Sequence, residues 1–328
     1  MSEDKKLVVV FGVTGAAGGA VIQHLFSDGT FAVRGVTRNT NSSNAIALRK
    51  QGMDIVEADL DKPETLVPAL QGAYGVAAVT DFMGIYAEVG FDVIKAEQRE
   101  ETQGCAIVDA AKVVGVQHFI WFTLFDGDCP HWNAKRRVDR YLASTDIPYT
   151  LFQNTFYFEN LVNPGYHMLI PRPSTAQSPE VSYIVNIPQP LDTPIPMYSV
   201  EQTGSWVLRA FKHPEEWLGQ RMLAISEMVT TRQLADVLTR ETGKQFVALE
   251  ITQDEFHAQA TSENPYVREL YTMYKNFVEL YTAAPDGADF GARQVAESAR
   301  AFAGQRDLAQ FVTESVAFKK FMSTFVQK

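Results

Sequence analysis

The sequence predicts an α/β fold, a doubly wound parallel sheet followed by a smaller, mostly helical C-terminal lobe. Three observations predict it. Residues 7–29 carry a buried-strand pattern that runs into a glycine-spaced turn and an amphipathic helix. Segments typical of strands and helices then alternate as far as residue 154, which favours parallel strands covered by helices. Beyond residue 154 the alternation stops, prolines become frequent and helical periodicity dominates.

The first strand, turn and helix form the most informative stretch of the chain. An unbroken apolar run at residues 7–11 is typical of a strand buried on both faces. Apolar positions then recur at helical spacing over residues 21–26. The turn between them carries Gly12, Gly15 and Gly18, spaced G-x-x-G-x-x-G.

Each of these glycines has a predicted role. Gly12 allows a tight bend, Gly15 lets the backbone approach a pyrophosphate, and Gly18 lets helix and strand pack closely. The helix N-terminus beyond them offers N–H groups and a partial positive charge to an anion. A glycine-rich turn without a ligand is the alternative. Because strand, spacing and helix agree, the sequence favours a Rossmann-type, dinucleotide-binding domain.

The remaining elements follow in order along the chain. Further strands are predicted at 31–37, 53–60, 74–82, 118–123 and 148–153. Helices are predicted within 41–52 and 61–72, at about 89–114, and at 132–145. A proline-rich loop with short strands is expected over 163–196, and helical patterns lie near 203–213, 230–242, 264–283, 292–304 and 307–326.

These patterns predict two domains. Residues 1–154 form the predicted nucleotide-binding Rossmann domain. Residues 155–328 form a smaller C-terminal α/β lobe, which we expect to be interleaved with the sheet because the chain crosses between the lobes more than once.

Composition narrows the class of protein. A net charge of −10 over 328 residues argues against nucleic acid as a direct partner, because phosphate binding needs clustered Lys and Arg. The acidic N-terminus is unlike a signal peptide, and no apolar stretch approaches membrane-spanning length. Cys105 and Cys129 are the only cysteines, and the six histidines lack metal-ligand spacing. We therefore expect no metal site and no membrane contact. We also expect a reducing compartment, which is the cytoplasm, with the nucleus as a second compartment.

The residues after the second strand bear on the choice between NAD and NADP. A carboxylate there would bind a ribose 2′-hydroxyl and repel a 2′-phosphate. The sequence has no acid at that position, and Arg38 follows Gly18 by 20 residues. With Thr37 and Asn39, Arg38 could hold a 2′-phosphate through a bidentate fork, so the sequence favours NADP(H). Arg34 is a weaker candidate, and an ordinary solvated arginine is the alternative.

Other candidates follow the third and fourth strands, because ligands of doubly wound sheets bind outside the carboxyl ends of strands. Asp59 could accept a hydrogen bond from an adenine amino group, or cap the next helix. Thr80, Asp81 and Phe82 would lie beside the pyrophosphate or the nicotinamide ribose, with Phe82 covering the nucleotide. The complete predicted cofactor set is Gly12, Thr14, Gly15, Gly18, Arg38, Asp59, Thr80, Asp81, Phe82, Lys135, Asn154 and Phe156.

The sequence resembles the NmrA-like family, whose members are atypical relatives of the short-chain dehydrogenases and reductases. The resemblance rests on the segments VVVFGVTGAAGGAVIQHL, VRGVTRN, VEADLDKPETLVPALQGAYGV, VTDF and NTFYFENL. It covers residues 6–250 well and the C-terminal helices more loosely, and it is closest to the family's human cytosolic NADPH-sensing member. It implies NADP(H) in a cleft between a Rossmann domain and a smaller lobe.

The resemblance also implies candidate catalytic residues. Standard short-chain reductases carry Tyr-x-x-x-Lys on the helix after the fifth strand, where the lysine holds the nicotinamide ribose and lowers the pKa of the tyrosine. Lys135 fits the lysine position, His131 replaces the tyrosine, and Thr123 matches the serine that usually ends the fifth strand. The alternatives are a surface lysine and an exposed histidine. A second Tyr-x-x-x-Lys, from Tyr271 to Lys275, is interpreted as a chance match.

Aromatic residues raise a separate question. Asn154 and Phe156 follow the sixth strand and are expected over the nicotinamide. The aromatic residues there and after the fifth strand could stack on a flat substrate or simply be core, and the sequence favours neither. These residues are Phe156, Tyr157, Phe158, Trp121, Phe122 and Phe125.

Three functions are compatible with these residues. The first, which the sequence favours, is an NADP(H)-binding redox sensor that regulates a protein partner or its own dimer without turnover. The second is an NADPH-dependent reductase of quinones or similar flat electrophiles, because hydride transfer from the cofactor does not demand a tyrosine. The third is a scaffold with a relic nucleotide site.

Overall fold

A computed structural model describes residues 5–172 and 182–324. Residues 173–181, part of the predicted proline-rich loop, lie outside the described residues. Contacts between Cα atoms divide the chain into two units. The first unit comprises residues 1–154 and 201–223, and the second comprises 155–200 and 224–328.

Strands and helices have the following bounds. The strands are β1 (Leu7–Phe11), β2 (Ala32–Thr37), β3 (Asp54–Glu57), β4 (Ala73–Ala78), β5 (His118–Thr123), β6 (Tyr149–Gln153), β7 (Phe156–Tyr157), β8 (Leu169–Arg172), β9 (Ser182–Val185), β10 (Ile195–Tyr198), β11 (Arg221–Leu223), β12 (Glu227–Val229) and β13 (Phe246–Ala248). The helices are α1 (Ala16–Asp28), α2 (Ser43–Lys50), α3 (Leu66–Leu70), α4 (Phe82–Glu88), α5 (Val93–Val114), α6 (Pro130–Ala143), α7 (Thr203–Lys212), α8 (Pro214–Trp217), α9 (Thr231–Thr242), α10 (Gln253–Ala258), α11 (Pro265–Val278), α12 (Gly287–Ala301), α13 (Leu308–Glu314) and α14 (Val316–Ser323).

The first unit is built on a seven-stranded sheet in the order β3-β2-β1-β4-β5-β6-β11. Every neighbouring pair in this sheet is parallel. The order reverses on either side of β1, which is the arrangement of a doubly wound fold, so the predicted fold class is confirmed. The sequence analysis missed β11, because a three-residue strand carries too little pattern to recognise.

The central strands are buried on both faces, as their apolar runs predict. Val8, Val9 and Val10 of β1 are fully buried. On one side, β1, β4 and β5 pack against α3, α5 and α6 in one hydrophobic cluster. On the other side α7 lies against α1, where a Cβ on Gly204 would come 2.8 Å from the carbonyl oxygen of Ala20.

The helix predicted at 89–114 starts later in the structure, and a separate helix precedes it. Helix α4 ends at Glu88 and α5 begins at Val93. Between them Gly90 and Phe91 both have left-handed backbone, with φ of 70° and 64°. Two successive left-handed residues cannot continue an α-helix, and no sequence pattern signals this conformation at a phenylalanine.

The second unit contains two three-stranded sheets and six of the α-helices with given bounds. In one sheet β10 pairs with β7 in parallel and with β12 in antiparallel orientation. In the other β9 pairs with β13 in parallel and with β8 in antiparallel orientation. The helix predicted at 307–326 is two helices, because Ser315 leaves the helical conformation and caps α14.

The length and apolar character of the described helices show whether any of them could cross a membrane. Across residues 5–172 and 182–324, none is both long enough and apolar enough to cross a bilayer.

We predict that Gly18→Ala destabilises the protein without any nucleotide present. A Cβ at Gly18 would lie 2.6 Å from the carbonyl oxygen of Phe11, so the helix or the strand must move. Overpacking of this kind costs about 1–3 kcal/mol. Urea unfolding of the two proteins measures the loss.

Gly15→Ala is the matched control. Its Cβ would meet the carbonyl oxygen of Gly12 at 3.4 Å, an ordinary contact, so the expected cost is only that of alanine at a helix N-cap, about 1 kcal/mol or less. Equal stability of the Gly18→Ala and Gly15→Ala variants would contradict the close approach of α1 to β1.

Candidate functional site

The glycine turn joins β1 to α1. Gly12 has left-handed backbone, with φ of 68°, which provides the predicted tight bend. Gly15 is the N-terminal capping residue of α1, and its N–H donates to the carbonyl of Gly12 over 3.0 Å. Within the described chain no side chain caps α1, and its first turn holds no acidic residue. The first-turn N–H groups are therefore suited to an anion such as a pyrophosphate.

Thr14 connects this turn to the next βα unit. The amide of Asn44, at the start of α2, donates to the carbonyl oxygen of Thr14 over 3.0 Å. The Ser42 hydroxyl caps α2 by accepting from the N–H of Ala45. This contact places the segment after β2 beside the glycine turn. The sequence analysis missed Asn44, because a contact across 30 residues leaves no local signal.

Arg38 follows β2 and its side chain is 60% exposed. Its Nη1 donates to Oε1 of Glu88, at the end of α4, over 3.1 Å. Arg34 is engaged inside the fold instead. Its Nε pairs with Asp54 at 2.8 Å, and its Nη1 donates to a carbonyl group after α3. Of the two arginines, Arg38 is therefore the better placed for a ligand.

Glu88 contacts a second arginine as well. Its Oε2 lies 2.8 Å from Nη2 of Arg99, on α5. Hydrogen bonding by Arg38, followed by that of Arg99, lowers the pKa of Glu88 below its usual range. Glu88 is thus a carboxylate between two guanidinium groups at the edge of the sheet. Sequence reasoning did not select Glu88 or Arg99, which are 50 and 61 positions from Arg38.

Asp59 follows β3, and its carboxylate accepts from the N–H of Asp61 over 3.1 Å. It also lies 3.7 Å from the ammonium group of Lys62. The single-turn 3₁₀ helix that begins at Pro63 has no side-chain cap. The alternative of a helix-capping role for Asp59 was therefore wrong, whereas its contact with adenine stays a prediction.

Lys135 lies on α6, and its ammonium group is buried in a polar cluster. It donates to Oγ1 of Thr80 at 2.7 Å, to the Thr80 carbonyl at 3.2 Å and to Oε1 of Glu100 at 2.8 Å. An ammonium has three hydrogens, so these acceptors match its donors in number. The residue is 6% exposed, so it is not the surface lysine of the alternative interpretation.

Glu100 completes this cluster from α5. It is fully buried, and the Thr80 hydroxyl also donates to its Oε1 over 2.8 Å. Its Oε2 has no hydrogen-bond partner among the described side chains and backbone. The sequence analysis missed Glu100. A signal exists, since Ala96, Glu100 and Ile107 share one buried face of α5, where a lone carboxylate requires a partner.

Asp81 and Phe82 open helix α4. Asp81 caps the helix by accepting from the N–H of Gly84 over 3.0 Å. Phe82 is buried in a small cluster with Ile85 and Tyr86. Its ring lies 6.0 Å from that of His131. Phe82 therefore supports the packing of α4, and its covering of a nucleotide stays a prediction.

His131 and Thr123 also lie inside the first unit. His131 is 9% exposed rather than solvent-facing, and its Nδ1 is 3.2 Å from Sγ of Cys129. Thr123 ends β5, is fully buried and donates its hydroxyl to Asp139 over 2.9 Å. Burial raises the pKa of Asp139. A 2.6 Å hydrogen bond from Arg136 acts in the opposite direction and lowers that pKa.

The residues after β6 fall in both units. Asn154, the last residue of the first segment of the first unit, is buried and donates its N–H to the carbonyl of Thr123 over 3.0 Å. Phe156 lies on β7 of the second unit and is buried there. Five of the six aromatic residues that the sequence could assign to core or pocket are buried and the sixth, Tyr157, is half-buried; the five are Trp121, Phe122, Phe125, Phe156 and Phe158.

The second Tyr-x-x-x-Lys lies on α11 of the second unit. Tyr271 is buried, and its hydroxyl is 3.1 Å from Nδ1 of His257. Lys275 forms an exposed ion pair with Glu279 at 2.5 Å. These contacts are those of helix packing and a helix surface.

The chain is similar in sequence to known proteins. The model of the NmrA-like family matches residues 4–311. An NmrA-like family domain-containing protein of Dictyostelium discoideum is 27% identical, over 73% of this chain and 78% of its own length. An NmrA-like family domain-containing oxidoreductase, notA of an Aspergillus species, is 25% identical over 99% of both chains.

The fold is also similar to a solved structure. NmrA, described as a negative transcriptional regulator, was solved in complex with NADP. It has a TM-score of 0.74 and 20% identity, over 98% of both chains. At this identity the likeness supports the fold alone.

We predict that Lys135→Met destabilises the protein by about 3–5 kcal/mol, because it leaves the Glu100 carboxylate buried and unpaired. Replacing both partners removes that penalty. The free energy of unfolding of Lys135→Met/Glu100→Leu should therefore lie within about 2 kcal/mol of that of wild type. Urea unfolding at neutral pH measures both.

The control is Lys275→Met, which breaks an exposed ion pair. It should change the free energy of unfolding by about 1 kcal/mol or less. A Lys135→Met variant as stable as Lys275→Met would show that the buried pair does not hold the cluster together.

Proposed function

The chain belongs to the NmrA-like family, and from that premise we propose that it binds NADP(H) in its first unit and acts as a redox sensor. In this proposal, the bound nucleotide controls association with a protein partner or with a second copy of the chain. The observation that carries the proposal is the glycine turn, whose bend, close helix contact and uncapped α1 N-terminus fit a pyrophosphate.

Arg38 supports NADP(H) over NAD(H). It is exposed at the end of β2, where a dinucleotide-binding fold presents the residue that reads the ribose 2′ position. Its guanidinium already binds one anionic group, the carboxylate of Glu88. A 2′-phosphate offers the same kind of acceptor with more charge and a better bidentate match.

The proton donors of the first unit support a sensor without turnover. All three hydrogens of the Lys135 ammonium have acceptors within the protein, and the Thr123 hydroxyl donates to Asp139. A tyrosine at the position of His131 would be the acid of a standard short-chain reductase. Its absence removes the group that such a reductase uses to pass a proton.

A population shift would couple nucleotide to partner. The glycine turn, Arg38 and Lys135 lie on separate segments of the first unit. One extended nucleotide could contact the first two, and it could reach Lys135 only if the ammonium group released one of its acceptors. The population of the partner-binding state would then change only to the extent that the nucleotide binds the two states with different affinity.

A second candidate is an NADPH-dependent reductase of quinones or similar flat electrophiles. The full-length relative named as an oxidoreductase favours it. The cofactor would supply the hydride, and Lys135, His131 or water would supply a proton.

We predict that the protein binds NADPH more tightly than NADH, and that Arg38→Ala weakens NADPH binding alone. Loss of a bidentate contact to phosphate should cost about tenfold or more in affinity. Fluorescence titration with each nucleotide measures this. Arg232→Ala, which removes an exposed arginine paired with Asp192, is the matched control and should bind as wild type does.

We predict no turnover for the sensor. NADPH-loaded protein is incubated with quinones, enals and triarylmethane dyes while the reduced-nicotinamide absorbance is followed. Oxidation should proceed at the rate of the protein-free control. Faster oxidation that is lost in Arg38→Ala at limiting NADPH would instead establish the reductase.

A further inference from the structure

We propose that Arg38 and Arg99 together form the 2′-phosphate site of the bound nucleotide, and that Glu88 occupies this site as an internal competitor until the phosphate displaces it. The proposal deepens the proposed function and rests on it, because it assumes nucleotide binding at the glycine turn. It assigns Arg99 and Glu88 as residues that determine nucleotide specificity.

The first observation is the way in which Glu88 is held. Its Oε1 accepts from Arg38 at 3.1 Å, and its Oε2 lies 2.8 Å from Nη2 of Arg99. Each oxygen of one carboxylate therefore faces a different guanidinium group. Two guanidinium groups that converge on one anion form the kind of site that binds a phosphate monoester.

The second observation is that Arg99 is held in position by groups other than Glu88. Its Nε and Nη2 fork onto the two oxygens of Asp61, at 3.0 and 2.5 Å. Gln103 also donates to Asp61, at 2.8 Å. The Arg99 side chain is 29% exposed, half as much as that of Arg38. Arg99 is thus fixed at the site whether or not Glu88 is present.

Position supports a phosphate at this site. Arg38 follows β2, at the carboxyl edge of the parallel sheet where dinucleotide-binding folds hold the adenosine ribose. Arg99 reaches the same carboxylate from the N-terminal part of α5, a helix that packs on one face of the sheet. The bound ribose would therefore present its 2′ substituent to both arginines.

Glu88 and a phosphate cannot share the site, because both would use the donors that Glu88 now occupies, Nη1 of Arg38 and Nη2 of Arg99, whereas Asp61 stays paired with Arg99 in both states. Glu88 is able to leave. It is the last residue of α4, its side chain is partly exposed, and exposed ion pairs are weak. A phosphate carries more charge than a carboxylate and accepts more hydrogen bonds, so it outcompetes Glu88 for the two arginines.

Displacement of Glu88 would also act on α4 as a whole. At its other end, α4 begins at Phe82, two residues after Thr80, which accepts hydrogen bonds from Lys135. Beyond Glu88 the chain passes through Phe91, whose left-handed backbone is strained for a residue other than glycine. Binding of the 2′-phosphate would thus be communicated along α4 to the Lys135 cluster, whereas NAD(H) would leave Glu88 in place.

The test is a pair of titrations, with NADPH and with NADH, on wild type, Glu88→Gln and Arg99→Met. Glu88→Gln removes the competing charge and should tighten NADPH binding by about tenfold. Arg99→Met should weaken NADPH binding by about tenfold. NADH affinity should change by less than about twofold in both variants, because NADH has no 2′-phosphate.

Glu216→Gln is the matched control, since Glu216 also forms an exposed ion pair with an arginine in the first unit. It should bind both nucleotides as wild type does. Urea unfolding of each variant checks that folding is intact, and Glu88→Gln keeps the proposal testable if Arg99→Met does not fold.

The outcomes separate this proposal from the proposed function. Unchanged or weaker NADPH binding by Glu88→Gln overturns the competitor role, and an equal effect of Arg99→Met on both nucleotides overturns the phosphate site. If Arg38→Ala loses NADPH while Glu88→Gln and Arg99→Met bind as wild type does, the further inference alone fails. If wild type binds neither nucleotide, or binds both equally with no effect of Arg38→Ala, the proposed NADP(H) function fails and this inference with it.

Discussion

A buried ammonium group must have acceptors, and this requirement organises the interior of the first unit. Lys135 obtains its acceptors from Thr80 and Glu100, so the end of β4 and helices α5 and α6 meet at one point. Without Glu100 the charge would be buried unpaired, and without Lys135 the carboxylate would be. The conformation of the segment between β4 and α4 therefore depends on this one ion pair.

The charges at the sheet edge behave differently because water reaches them. Arg38, Glu88 and Arg99 form ion pairs whose members are partly exposed, and such pairs exchange partners at small cost. The same chemistry thus serves two purposes in one unit. The buried pair fixes a cluster in place, whereas the exposed arginines remain available to an anionic ligand that offers a better match.

A reductase needs a proton donor that a sensor does not need, so it matters which donors of the first unit are already hydrogen-bonded within the protein. In the first unit the ammonium of Lys135 and the hydroxyl of Thr123 both donate to buried carboxylates. A reductase built on this chain would have to release one of these donors, or use His131 or water instead. A sensor has no such requirement, because it needs only a difference in nucleotide affinity between two states.

The sequence by itself determined the doubly wound sheet, since apolar runs, helical periodicity and the Gly12–Gly15–Gly18 spacing are local patterns that report directly on burial and turn geometry. It also selected Arg38 and Thr80, because the carboxyl ends of parallel strands share one edge, and the resemblance to short-chain reductases selected Lys135. Only the tertiary structure decided that Glu100 pairs with Lys135, that Arg38 and Arg99 both contact Glu88, and that Gly90 and Phe91 separate α4 from α5. These features depend on contacts between residues up to 50 positions apart, and on a left-handed phenylalanine, for which the local sequence carries no signal.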